Sequence, residues 1–359
     1  MKKRILLSAY TGLGNFILKT PLISELKKKY PSSELDILCG LPWGAENVLK
    51  NSTFINEIHW VDPGKSLISR FFSLKKISRR DYDLIIFPFD SSPNFVIFFF
   101  NFLAKKSYIT AHINFHLKNF KRNFINILFL IFLKNINWVQ VKTNRHEIKL
   151  NMDLVKNYVS EKIDFNTKTF IFFEEDNSKV ISGDYIVLQP VSRNGMPSPK
   201  NWPIRSFYEI SQKICNELKG YQVVLLGDRG EQETVEKFKF EDLDCVTSFV
   251  GKTNFSQLCN IIQNAKIVIA NDSGIMHIAD SLNTPLIALY GPTDFHRTRP
   301  LSRTSSILFS CNNSLLSMQG FSCTEDQLLE IYPHEYCMNS LDVEDVYEHL
   351  NFRLNEKTL

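Results

Sequence analysis

Residues 265–300 read AKIVIANDSGIMHIADSLNTPLIALYGPTDFHRTRP. The opening run, KIVIA, has no polar face, as expected of a strand covered on both sides. It passes without a loop into Asn271-Asp272-Ser273-Gly274, and the apolar spacing then lengthens to a helical one over SGIMHIADSLN. A second apolar strand, PLIALYG, follows at once. Strand, helix and strand with no hairpin make a parallel crossover, the repeating unit of a doubly wound sheet. Asp272 and Ser273 are cap-type residues, and Gly274 lets another group approach the free N–H donors of the first turn. Such a helix start suits a diphosphate. His277, within one turn of Gly274, is placed to face the same ligand. GPTDFHRTRP then sets Thr293, Asp294, Arg297 and Arg299 at the next strand C-terminus.

The same alternation extends in both directions. Upstream in the second half, YIVLQP (185–190) and YQVVLLG (221–227) read as strands. PIRSFYEISQKICNEL and FSQLCNIIQNA read as helices, and DRGEQETVEKF opens another with acids in its first turn. The first half runs RILLSAY, a glycine-rich turn, a helix over FILKTPLISELKKKYP, then strands SELDILCG, INEIHWV and YDLIIFPF. A helical period over 145–159 closes it. At 359 residues the chain is long enough for two cores. The expected architecture is α/β: two tandem Rossmann-like doubly wound domains facing a cleft, where strand C-termini converge. The domains are expected at 1–175 and 176–340, with a helix over 341–359 packing back toward the cleft.

Apolar content of 44% and charged content of 22% belong to a globular chain rather than a disordered one. The start, MKKRILLSAY, reads as a first strand rather than a leader, because TGLGN interrupts the apolar run. No apolar stretch reaches the ~18 residues needed to cross a bilayer. Seven cysteines without close pairs predict reduced thiols and a cytoplasmic protein. Cys311, Cys323 and Cys337, with His334 nearby, lack the tight C-x-x-C pair of zinc sites and read as free thiols; no metal is expected. The net charge of +4 conceals an excess of Lys and Arg in the first half and of Asp and Glu in the second. A basic first half would suit an anionic partner. Two aromatic-rich runs there, NFVIFFFNFLAKK (94–106) and NFKRNFINILFLIFLK (119–134), join dense apolar faces to Lys and Arg. They read either as interfacial helices, with Lys118, Lys121 and Arg122 toward anionic lipid, or as helices packed on a sheet.

Competing classes fail on specific residues. In GLGNFI, Ile17 stands where a dinucleotide-binding G-x-G-x-x-G needs its last glycine, and Asp36 lies inside a strand rather than at its end. No G-K-[ST] follows the glycines, which excludes a Walker loop. No nucleic-acid-binding motif accompanies the basic half, so nucleic acid is not an expected partner.

The segment from Asn271 to Asp294 resembles the late hallmark of the bacterial heptosyltransferase family, NDSGxMHxAxxLxxPxxALxGPTD, with Ile275 in a slot commonly held by proline. These are the ADP-heptose:lipopolysaccharide glycosyltransferases of glycosyltransferase family 9. GLGNFILKTPLISELKKKYP is similar to the family's opening loop and helix, PKNWPIRSFYEIS to its Lys-x-Trp-Pro motif, and VVLLGDRGEQE to its Gly-then-Glu loop. HEIKLNMDLV and CMNSLDVEDV match two of its helices, while 90–140 is the poorest match. The resemblance implies the GT-B architecture. It also implies an inverting, metal-independent transfer of heptose from an ADP-heptose donor onto a lipopolysaccharide core or related glycolipid precursor. No cofactor is implied beyond the nucleotide-sugar co-substrate. The place implied is the cytoplasm, peripheral on the inner face of the inner membrane. On the donor side, Lys200 would neutralise phosphate. Gly14, Ser192, Asp272, Ser273, Gly274 and His277 would contact donor, and Glu231 the ribose, with Glu233 as a competing register.

One position departs from the family. Its best-known members carry Gly-Asp at the opening loop, the aspartate being the proposed base; here the pair is Gly14-Asn15. An amide does not take a proton near neutral pH, although it can hold a hydroxyl by hydrogen bonds. Asp90, after YDLIIFPF, is the replacement base expected first; His112 and His116 are weaker ones. A non-catalytic sugar-nucleotide-binding member of the same fold is the alternative that Asn15 raises.

Overall fold

The structure is a computed structural model and describes residues 2–40, 45–49, 52–88, 93–114, 120–142, 145–159, 163–176, 181–192, 198–310 and 338–356. The chain divides into two compact units, Met1–Phe172 and Phe173–Leu359. In the first, β1 (Arg4–Ser8), β2 (Glu34–Cys39), β3 (Glu57–Trp60), β4 (Leu84–Phe87), β5 (Tyr108–Ile113) and β6 (Ile136–Gln140) form one sheet in the order β3-β2-β1-β4-β5-β6. All its pairings are parallel. Its helices are α1 (Leu13–Ile17), α2 (Thr20–Lys29), α3 (Leu67–Ser78), α4 (Asn94–Leu103), α5 (Phe120–Phe132) and α6 (Glu147–Asp153).

The second unit repeats the plan. Its strands are β7 (Asp184–Gln189), β8 (Tyr221–Leu225), β9 (Val246–Ser248), β10 (Ile267–Asn271), β11 (Leu286–Tyr290) and β12 (Ser305–Phe309). Their order is β12-β11-β10-β7-β8-β9, again wholly parallel. The helices α7 (Ile204–Glu217), α8 (Gln232–Glu236), α9 (Phe255–Gln263), α10 (Gly274–Leu282) and α11 (Phe295–Thr298) connect them. The C-terminal helix Val343–Asn355 buries Val346, Tyr347 and Leu350 in the same core as Trp202, Phe207, Ile210 and Ile214.

Two local expectations are corrected. The helix read as continuous over 16–31 is broken into α1 and α2 at Pro21, whose missing N–H cannot bond the Ile17 carbonyl. The Thr20 hydroxyl donates to that carbonyl instead, at 2.8 Å. The cysteines are not all thiols: Cys215, on α7, and Cys245, before β9, form a disulfide with Cα atoms 5.6 Å apart. A separation of 30 residues hides that pair from spacing arguments. The cytoplasmic inference from thiol usage therefore loses its basis. Cys39 and Cys259 are buried thiols, each pushed up to about 12 first of all by burial.

Candidate functional site

In the second unit the strand order reverses between β7 and β10, and open α/β sheets bind ligands beyond the strand C-termini at that point. Gln189 ends β7 and Asn271 ends β10. The Asn271 side chain is fully buried: its Oδ1 accepts the Trp202 main-chain N–H at 2.8 Å and its Nδ2 donates to the Gln189 carbonyl at 3.1 Å. Trp202 is itself fully buried, and its indole N–H donates to the Leu341 carbonyl at 2.8 Å. Asn271 and Trp202 thus fix the segment that carries Lys200. The Lys200 Nζ lies 3.4 Å from Asp272 Oδ2. Asn201 Oδ1 accepts the Ser192 hydroxyl at 2.5 Å, which brings Ser192 to the same edge. Ser192, Lys200, Asp272, Ser273 and Gly274 therefore gather at one end of this sheet.

Burial pushes the Asp272 carboxyl up, but the Lys200 charge, then His277 and the Thr293 hydroxyl, outweigh it and hold the group below its usual range. His277 is buried in α10 beside this charge. Tyr290 is wholly buried nearby, and its phenol is driven well above its ordinary value, first by burial and then by Asp272. Asp272 and Ser273 were expected as caps, and the Ser273 side chain makes no capping bond to α10. Its hydroxyl donates instead to Gln189 Oε1. The nine-residue helix α10 so begins with first-turn N–H groups that its N-cap side chain does not cover. Further along, Asp294 caps α11 by accepting the His296 N–H at 3.1 Å, and burial pushes its carboxyl upward.

The two competing glutamates after β8 have different environments. Glu231 is buried, and its Oε2 accepts the Asp228 N–H at 3.0 Å in a capping box. Glu233 is exposed and paired with Lys237 at 2.8 Å. Gly227 makes the first arrangement possible, because a Cβ there would stand 2.4 Å from Glu231 Oε2.

In the first unit Gly14 and Asn15 lie within α1 rather than in a loop, and Asn15 is partly exposed. The Asn15 carbonyl accepts the Lys19 ammonium at 3.0 Å. Lys19 is fully buried and 3.8 Å from the buried Glu147 on α6. Sequence reading singled out neither residue, since a basic residue in a helix normally marks a solvated face. His112 is buried on β5, with Nε2 3.0 Å from the Leu150 carbonyl. Lys121 and Arg122 are on α5. Asp90, His116, Lys118, Cys311, Cys323, His334 and Cys337 lie outside the described residues. Among the described residues no three His, Cys, Asp or Glu side chains stand close enough to hold a metal ion.

Residues 132–328, more than half of the chain, match the family model of glycosyltransferase family 9 (heptosyltransferase). This chain belongs to glycosyltransferase family 9. Among curated relatives, lipooligosaccharide heptosyltransferase 2 of Haemophilus influenzae is 24% identical over 324 residues, covering 88% of this chain and 91% of that one. Lipopolysaccharide heptosyltransferase 3 of Escherichia coli is 29% identical over 299 residues, covering 80% and 84%. The family 9 glycosyltransferase structure from Veillonella parvula superposes with a TM-score of 0.72 at 20% identity, over 99% of each chain. An Escherichia coli ADP-heptose heptosyltransferase II structure gives 0.66 at 21%, over 98% of each. The fold is accordingly that of the GT-B glycosyltransferases, built from two Rossmann-like units, and the chain is a glycosyltransferase.

Proposed function

We propose that this glycosyltransferase moves heptose from ADP-heptose onto a lipopolysaccharide core or a related surface-glycan precursor, with inversion and without a metal ion. The observation that carries the donor side is the start of α10, where Lys200 and an N-cap hydroxyl turned away from the helix offer positive potential to a diphosphate. The named relatives are heptosyltransferases, and one solved neighbour is a heptosyltransferase with ADP. Those names favour an active enzyme over a non-catalytic sugar-nucleotide binder.

In this reading the departing diphosphate gathers negative charge as its bond to the sugar breaks, and Lys200 together with the α10 N–H groups stabilises it. Asp272 is an anion and would repel a phosphate oxygen, so its role is to hold the Lys200 ammonium and accept sugar hydroxyls. Ser192, Ser273, Gly274 and His277 complete the donor contacts, and Glu231 takes the ribose hydroxyls. The acceptor hydroxyl attacks the opposite face of the anomeric carbon and gives its proton to a base. Asn15 cannot be that base and is assigned to hold the hydroxyl; Asp90 is assigned as the base. The protein works in the cytoplasm on the inner face of the inner membrane, where the glycolipid acceptor lies.

Thermal unfolding with ligands tests the donor assignment. ADP and ADP-heptose are expected to raise Tm, and stabilisation by NAD or UDP-sugars with none by ADP compounds would refute it. Gly227→Ala tests Glu231 separately. The added methyl displaces the carboxylate; the lost charge-assisted hydrogen bonds to donor are expected to raise its KM about tenfold, and the broken capping box to lower stability by about 1 kcal/mol. An unaltered KM would remove Glu231 from the site.

A further inference from the structure

In the first unit the connections β3 to β4, β4 to β5 and β5 to β6 all step in one direction across the sheet. Right-handed crossovers therefore place α3, α4 and α5 on one face. Their inner sides share one core: Leu74 and Ile77 from α3, Val96 and Phe100 from α4, Phe129 from α5. The outer sides of such helices are ordinarily polar. Here they are not. Ile68 and Phe72 on α3, Phe98 and Phe102 on α4, and Phe124 and Ile131 on α5 are all exposed, Ile68 at 71% and Phe72 at 61%. Ten of the fifteen exposed large hydrophobic residues among those described belong to these three helices, so this is a patch and not scatter. The rings are continuous from α3 to α4, with Phe71 and Phe99 centroids 5.4 Å apart and Phe98 and Phe102 5.0 Å apart.

Charge narrows the choice of partner. No Asp or Glu occurs between Asp62 and Asp81, nor between Asp90 and Glu147, whereas these two stretches carry six and eight Lys and Arg. Lys65, Lys75, Lys76, Arg79, Lys105 and Lys134 are exposed around the apolar face. A second copy of the chain would bring this cationic rim against itself. An anionic lipid bilayer, apolar inside and anionic at its surface, matches both features.

We propose that the α3–α4–α5 face docks on anionic membrane, its Phe and Ile side chains entering the acyl boundary while the lysines and arginines meet headgroup phosphates. The site includes α3, whose sequence gave no such sign beside the two aromatic-rich runs. This deepens the acceptor side of the proposed function and rests on it for its biological sense. Vesicle binding is nevertheless read without donor or acceptor, so the two assignments fail separately.

The test is flotation of the whole protein with phosphatidylcholine vesicles, with and without phosphatidylglycerol. Two variants accompany it: Ile68→Ser with Phe72→Ser and Phe102→Ser, and Lys75→Glu with Lys76→Glu and Arg79→Glu. All six positions are exposed, so folding is expected to survive, which circular dichroism checks. The unsubstituted protein is expected to float only with phosphatidylglycerol, and each variant to partition at least about tenfold less. Transfer to a detergent-soluble acceptor should be unchanged in both. Absence of flotation, or equal flotation of the folded variants, would overturn the proposal. So would a concentration-dependent dimer that the Ser variant makes monomeric, because the face would then join copies of this chain.

Discussion

Lys200→Ala is expected to lower kcat/KM for donor by about 10²–10³-fold, the loss typical of removing one preorganised group from a developing oxyanion. The expectation follows from placement rather than from charge alone. Trp202, two residues on, is locked by hydrogen bonds to Asn271 and Leu341, so the Lys200 backbone is held before any ligand arrives. Its ammonium already stands 3.4 Å from a buried carboxylate and is not free to wander into solvent. Lys200→Arg should recover part of the rate, since it restores the charge with a different reach. A stability signature goes with the kinetic one. In the native protein Asp272 is held below its usual 3.8, so its contribution to stability is present above that value and is lost on acidification through the lower folded value. Without Lys200 the folded value moves upward, with only His277 and the Thr293 hydroxyl left to oppose burial, so the variant should gain less stability than the native protein as pH rises through the carboxylate range. Urea midpoints at several pH values for both proteins measure this. Parallel curves and full activity together would exclude the assigned role.

Trp202→Ala is expected to destabilise the second unit by about 3–5 kcal/mol, the range for deleting a large buried aromatic side chain. Trp202 is fully buried, packs edge-on against Phe207 at 4.9 Å and donates its indole N–H to the Leu341 carbonyl just before the C-terminal helix. The substitution opens a cavity and leaves that carbonyl without its donor. Trp202→Phe keeps the ring contact and loses the hydrogen bond, and should cost distinctly less. Denaturant unfolding followed by circular dichroism resolves the two costs; equal, small losses for both would show that this residue is no keystone.

How much of this was legible in the chain depended on how completely each strand is apolar. β1, β4, β10 and β11 are largely apolar runs and read directly. β5 reads YITAHI, and its polar Thr110 and His112 are buried only because they meet the Leu154 and Leu150 carbonyls. Such partners are remote in sequence, so β5 and the edge strands β6, β9 and β12 gave no usable pattern. At the site, the residue types of Lys200, Asp272 and Gly274 were readable, and folding supplies their convergence. In sequence the buried Asn271 that couples Trp202 to β7 is one more turn-type residue, and the Ser273 hydroxyl reads as a cap because its actual partner, Gln189, is 84 residues away. The aromatic-rich runs left core and surface readings open for a physical reason: α4 and α5 are apolar on both sides, one packed and the other exposed.

The most direct measurement of heptosyl transfer is the product mass after incubation with ADP-heptose and a heptose-deficient lipopolysaccharide-core acceptor. The expected result is an acceptor heavier by one heptosyl residue with one ADP released, both formed about 10²–10³-fold more slowly with Lys200→Ala. An unchanged acceptor, with ADP-heptose bound but intact, would contradict the assignment and leave a sugar-nucleotide binder built on a glycosyltransferase fold.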